Sequence, residues 1–218
     1  MGRNDKVIMG FLEDNCKLCV LTEEIRKSCA PFTCGKADMD EFFCKDYNDY
    51  AFYMMGKSYC FRLDNDMSQI VCAFTLSNDS IRINDLPRSR KDFMKSITHH
   101  EKALRRYPGL LLGRLAVAKE FAGQGIGSEV LTFIKYMFID PDNKTGCRFL
   151  IVDAVNSPEV LSFYEKNGFH YLFTTEKQEE LYTFPPKNDE DKRKRQSNPM
   201  ELDTRLMYFD LLEFRENF

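Results

Sequence analysis

The chain has 218 residues, with 31 basic and 34 acidic side chains, a net charge of −3, 43% hydrophobic residues and a mean hydropathy of −0.44. Charges this evenly matched exclude a global pull towards nucleic acid or membrane. The best apolar run, GLLLGRLAVA, is interrupted by Arg114 and is half of the roughly 20 residues a spanning helix needs, so no membrane partner is expected. At about 100–200 residues per domain, a single domain over 1–218 is the expectation, with a weakly patterned N-terminal extension at about 1–22. The eight cysteines are scattered, three within apolar runs, which reads as reduced thiols of a cytoplasmic protein rather than a disulfide framework.

In chain order, DMDEFF opens a helix over 38–53, with Asp38 and Glu41 in capping-box spacing. SYCFRLD (58–64) and IVCAFTLS (70–77) alternate as strands, and SIRIN (80–84) continues or pairs with the second. Residues 86–107 are helical or irregular and carry seven basic against two acidic side chains. The apolar strand 110–118 runs into the turn FAGQGIGS, then a helix at 129–138 closed by Asp140-Pro141-Asp142-Asn143. CRFLIVDAV (147–155) reads as a central strand, and SPEVLSFYEKN as a helix with an early proline that Gly168 terminates. FHYLFTT (169–175) and RLMYFDLL (205–212) are two more strands. Between them, about 183–204 is rich in proline and charge and reads as a mobile insertion loop. The fold class is α+β.

Strand, glycine turn and helix together form the strongest chemical signal. Gly123-Gln124-Gly125-Ile126-Gly127-Ser128 lets successive N–H groups point into one concavity, and the helix that follows adds its dipole, which suits a phosphate or pyrophosphate. A Walker loop fails because no Gly-Lys-Ser/Thr follows. A dinucleotide fingerprint fails because Ser128 stands where its third glycine belongs.

The segment from about 56 to 175, with 205–212, resembles the GNAT superfamily of N-acetyltransferases. The likeness rests on Ala122-Gly123-Gln124-Gly125-Ile126-Gly127 directly after GRLAVAKEF, where the family has R/Q-x-x-G-x-G/A. It rests also on Asn156 followed by Phe163-Tyr164-Glu165-Lys166-Asn167-Gly168-Phe169. The resemblance implies a GNAT fold: a mixed, mostly antiparallel sheet of 6–7 strands, helices on both faces, splayed between 110–118 and 147–155. It implies acetyl-CoA as cosubstrate, no metal, and direct transfer of the acetyl group to a primary amine in a ternary complex. The amides of Leu115, Ala116 and Val117 would pair with pantetheine, that of Val117 polarising the thioester carbonyl. Residues 122–128, Ser128 included, would hold the pyrophosphate and Asn156 the pantetheine arm, while Tyr164 would protonate the departing thiolate. Ala122 departs from the family's Arg or Gln, which implies weaker CoA affinity.

PFTCGKADMDEFF, YCFRLDNDMSQIVCAFTLSNDSIRI and LLLGRLAVAKEFAGQGIGSEVL are together similar to the GNAT toxins of toxin–antitoxin pairs, which acetylate the α-amine of aminoacyl-tRNA. The acceptors to weigh are therefore a small molecule, a peptide or aminoacyl-tRNA, with an antitoxin protein and a homodimer as further partners. A non-catalytic acyl-CoA-binding or partner-binding module is the other alternative. The basic segment 86–107 and Lys192-Arg193-Lys194-Arg195 are the candidate phosphate contacts. Glu120, Asp153, His99 and His100 are general-base candidates by chain proximity alone, and Phe42, Phe43 and Tyr47 are candidates to line an acceptor groove. Cys16, Cys19, Cys29 and Cys34 are too irregularly spaced for a zinc set, and His99-His100 lacks the i, i+4 pairing of a zinc protease.

Overall fold

A computed structural model describes residues 10–98, 104–197 and 200–216; His99 and His100 fall outside them. A short helix α1 (Phe11–Asn15) leads into β1 (Cys16–Val20), so the weakly patterned N-terminal extension supplies a strand of the sheet. After α2 (Glu23–Lys27), the helix expected at 38–53 is built in three pieces: α3 (Ala37–Glu41), a π-helical turn (Phe42–Asp46) and α4 (Tyr47–Phe52). It begins one residue before Asp38, with Lys36 at the cap. No side chain caps it; Asp40 instead ties down the preceding loop, accepting bonds from Cys34 N–H (2.7 Å) and Thr33 Oγ1 (2.6 Å).

Next come β2 (Lys57–Leu63) and β3 (Ile70–Arg82), the latter taking in the first three residues of the SIRIN segment, while Ile83 and Asn84 enter a 3-10 turn. Then follow α5 (Arg88–Thr98), β4 (Arg106–Val117), α6 (Ile126–Ile139), β5 (Phe149–Val155), α7 (Pro158–Lys166) and a two-residue β6 (His170–Tyr171). The strand expected over 169–175 is thus short, because Glu176 already opens α8 (Glu176–Thr183) with Thr175 as its N-cap. The stretch read as a loop over 183–204 contains a helix, α9 (Asp189–Ser197). Its acidic first turn and basic last turn match the helix dipole, and Lys194–Glu190 (2.9 Å) and Arg195–Asp191 (3.0 Å) pair at i, i+4. β7 (Thr204–Asp210) and α10 (Leu211–Glu216) complete the described chain.

The strand order is β1-β2-β3-β4-β5-β7-β6. The β1–β2, β2–β3, β5–β7 and β6–β7 ladders are antiparallel and β4–β5 is parallel. This is the mixed, mostly antiparallel sheet expected. The parallel ladder holds three pairs, Gly109 to Leu111 against Phe149 to Ile151, although β4 continues to Val117 and β5 to Val155.

The chain divides into two compact units. One comprises Met1–Ser77 and Leu112–Met137, the other Asn78–Leu111 and Phe138–Phe218. In the first, Phe42, Phe43 and Tyr47 are buried to 3% exposure or less beside Cys60, Ala73, Ala116 and Ala118. Each apolar side chain buried this way contributes about 1.5–3 kcal/mol, so these three aromatics form core and do not line an acceptor groove. In the second unit, Phe149, Ile151, Ile81, Ile83, Leu172 and Tyr208 form the core.

Candidate acetyl-CoA site

β4 leads directly into the glycine turn, and the bonds at its exit fix where the turn begins. Ala118 N–H donates to Val71 O in β3 at 2.8 Å. Ala118 thus closes the pairing of this stretch with β3, one residue beyond the expected trio Leu115, Ala116 and Val117. Lys119 N–H donates to Thr33 O (2.9 Å) and anchors the exit from the strand.

In the turn, Gly123 (φ 76°) and Gly125 (φ 83°) hold left-handed backbone that a side chain would strain. Ala122 N–H is bonded to Lys119 O (3.3 Å), and those of Ser128 and Glu129 to Gly125 O (2.9 and 3.2 Å). The Ser128 amide expected at the phosphate is thus already engaged. Among the described residues no backbone acceptor takes the N–H groups of Gly123, Gln124, Gly125, Ile126 and Gly127. Five successive donors at the head of a 14-residue helix have the chemistry that suits an anion. The buried Ile126 side chain pins the turn to the core, while residues 122–125 are exposed.

Tyr164 lies in the last turn of α7. The helix ends on Gly168 (φ 81°), with Phe169 N–H donating to Tyr164 O (3.0 Å) and Asn167 Nδ2 to Phe163 O (2.8 Å). The Tyr164 ring meets Phe163 and Phe169 edge-on at 5.1 and 5.2 Å. Burial pushes its phenol up to about 12, so it is protonated at neutral pH. Asn156 donates from Nδ2 to Leu202 O (2.9 Å) and from its backbone N–H to Asp203 O (2.8 Å). It therefore fastens the approach to β7, leaving its second amide N–H and its carbonyl oxygen for any other role.

Three side chains of the basic segments are engaged within the protein, while Arg88 and Lys194 are exposed. Arg90 donates to Leu172 O and Tyr171 O (3.1 Å for the latter) and lies over Phe93, and Lys91 donates to Asn84 O (3.1 Å). Arg195 is held by Asp191 and by the Phe184 carbonyl. Glu120 is exposed, and its carbonyl accepts from Gln124 Nε2 (3.2 Å). The pairing of Asp153 on β5 with Asp79 on β3 in one cavity, about 420 Å³ in volume, has no local sequence signal, since the two are 74 residues apart. All eight cysteines are free thiols. Among the described residues no group of three or more His, Cys, Asp or Glu is arranged to hold a metal, and no helix is long and apolar enough to cross a membrane.

Residues 94–171 match the acetyltransferase (GNAT) domain family. The chain is similar in fold to a crystal structure of a mutant of KacT (TM-score 0.65, 15% identity, covering 94% of this chain and 99% of that one). It is similar also to AtaT complexed with acetyl-methionyl-tRNAfMet (TM-score 0.65, 16% identity, 93% and 99% covered). A third likeness is to an AtaT mutant toxin bound to the C-terminus of the antitoxin AtaR and acetyl-CoA (TM-score 0.59, 16% identity, 93% and 98% covered).

Proposed function

We propose that this chain, which carries a GNAT acetyltransferase domain in a GNAT fold, transfers the acetyl group of acetyl-CoA to a primary amine. The single observation that carries the proposal is the run of five unclaimed amides, Gly123 to Gly127, at the head of α6. These donors and the helix dipole suit the CoA pyrophosphate, with no metal required. The amides of Leu115, Ala116 and Val117 serve the pantetheine arm, and that of Val117 polarises the thioester carbonyl as charge develops on its oxygen. Tyr164 holds its proton throughout the neutral range and supplies it to the sulfur as the C–S bond breaks. The thiol, near ~8.5, retains that proton at pH 7, and solvent returns one to the phenol. Because the fold likeness covers 93–94% of the chain, the function is assigned to the whole of it, beyond the matched segment.

The acceptor reading best supported is the α-amine of aminoacyl-tRNA, with an antitoxin as protein partner. It rests on the neighbours solved with acetyl-methionyl-tRNAfMet and with AtaR. Chemistry agrees: freeing an α-amine at pH 7 costs roughly 1–1.4 kcal/mol, against about 4.6 for a lysine side chain. The test is thiol release from acetyl-CoA with charged tRNA, a peptide and small amines as parallel acceptors. Turnover confined to charged tRNA is expected. Turnover confined to small amines or peptides removes the tRNA reading, and acetyl-CoA binding without any turnover leaves a non-catalytic module.

A further inference from the structure

The loop between α6 and β5, together with the start of α10, lines a cavity of about 530 Å³ in the second unit. The loop is fixed by its own side chains. Asp140 Oδ1 accepts from Asp142 N–H (2.8 Å), Asn143 Oδ1 from Thr145 N–H (3.3 Å), and Asn143 Nδ2 donates to Phe138 O (3.3 Å). Arg148 N–H donates to Pro108 O and Arg148 O accepts from Leu211 N–H, both at 3.0 Å, which joins the walls. Three cations line the cavity, Lys144, Arg148 and Arg215, against the single carboxylate of Asp140.

We propose that this cavity binds a phosphorylated small molecule, its phosphate held by Lys144, Arg148, Arg215 and the loop amides, its apolar body resting on Leu211 and Leu212. The inference goes beyond acetyl transfer and does not depend on it. Arg148 spends Nη2 on Asp210 (2.7 Å) and Ile97 O (2.8 Å), while its Nε–H is buried without an acceptor. Among the described residues, the side chains of Lys144 and Arg215 form no ion pair or hydrogen bond. The N–H groups of Lys144, Gly146 and Cys147 likewise meet no acceptor there. Cations and amides gathered in this surplus suit a dianion that accepts on several oxygens at once.

Phe138, Ile139, Leu211 and Leu212 add an apolar wall, and the volume is that of small-molecule pockets. A nucleic-acid backbone makes no use of such a wall, so the observations favour a small ligand. Arg148 precedes β5 and Asn156 follows it. Seven extended residues, roughly 23 Å, therefore separate the cavity from the residue expected at the pantetheine arm, and the cavity is a site of its own.

Titration calorimetry on the full chain, with inorganic phosphate, phenyl phosphate and phenol as probes, tests the proposal. Phenyl phosphate should bind about 5-fold or more tightly than inorganic phosphate, and phenol should give no heat. Lys144→Glu and Arg215→Glu alter exposed side chains and leave the Arg148–Asp210 pair intact. Each should weaken phenyl phosphate about 10-fold or more, whereas Lys166→Glu on α7 should change it less than about 2-fold. If a reversal unfolds the chain, Lys144→Gln and Arg215→Gln take its place, with losses of about 3-fold expected. Equal losses in all three reversals reduce the effect to net charge, and losses in none move the phosphate to another site, the glycine turn included. Either result overturns the proposal, as does a wild type that gives no heat with phenyl phosphate. A short RNA duplex that binds through Lys144 where phenyl phosphate does not makes the surface a nucleic-acid contact and overturns it too. Failure of acetyl transfer with the calorimetric results intact removes the enzymatic reading and leaves this site standing.

Discussion

Arg205 Nε on β7 lies 2.7 Å from Glu179 Oε2 on α8, and both side chains are buried. Glu179 Oε1 accepts from Leu206 N–H, and Arg205 also reaches Glu176 (3.1 Å) and covers the Tyr171 ring. The pair thus ties α8 to the strand whose approach Asn156 fastens. Burial raises the Glu179 carboxyl above its ordinary range even with Arg205 opposing. Replacing Arg205 by Met leaves a buried carboxylate unpaired, and we expect a loss of about 3–5 kcal/mol at pH 7. That loss should shrink at pH 5, because without Arg205 the folded-state carboxyl titrates above the unfolded one and protonation relieves the penalty. Urea denaturation at the two pH values checks both statements.

Tyr164→Phe keeps the ring contacts with Phe163 and Phe169 and removes only the hydroxyl. If the phenol supplies the proton to sulfur, kcat should drop about 10²- to 10⁴-fold with the Kd for acetyl-CoA unchanged. A lower affinity with kcat intact would assign the hydroxyl to binding instead. Single-turnover kinetics and calorimetry separate the two.

Two substitutions in the glycine turn should act in opposite directions. Gly125→Ala meets no neighbouring atom within 4 Å but must hold φ at 83°, a strain of about 1–2 kcal/mol that should weaken acetyl-CoA roughly 5- to 30-fold. Ala122→Arg adds an exposed guanidinium beside the five amides and should tighten binding several-fold, the gain fading at high salt. Titration calorimetry at two ionic strengths reads both.

Lys135 in α6 is 6% exposed, and burial lowers its amine to about 8. Its folded pKa lies below the unfolded value of about 10.4, so between these limits the unfolded chain binds the extra proton and folding stability rises with pH. Against Lys135→Met as reference, the wild type should gain on the order of 2–3 kcal/mol from pH 7.5 to 10.5. A constant difference across that range would show that the amine stays charged in the fold. Chemical denaturation of both proteins in matched buffers is the measurement.

Much of the architecture was legible because its signals are local. Alternation placed β2 and β3, a continuous apolar run placed β5, and proline and glycine punctuation bounded α7. The glycine turn was legible too, since the left-handed backbone at 123 and 125 belongs to glycine. Composition misled at 183–204, where a balanced charge run reads as loop, yet i, i+4 ordering of the same charges holds α9. Phe42, Phe43 and Tyr47 misled in the other direction, since aromatic character does not say which face of the sheet a helix will cover.

The linear chain by itself determined the glycine turn, the tyrosine in its FY-GF setting and the strands from β2 to β5, all of which depend on bonds between near neighbours, while β1 in the weakly patterned N-terminal stretch was not legible. Only the tertiary structure decided that Ala118 gives its amide to Val71 in β3, that Ser128 spends its own on Gly125, and that Asp79 and Asp153 share one cavity. Strand pairing sets which side each N–H faces, and it brings together carboxylates that no spacing along the chain connects.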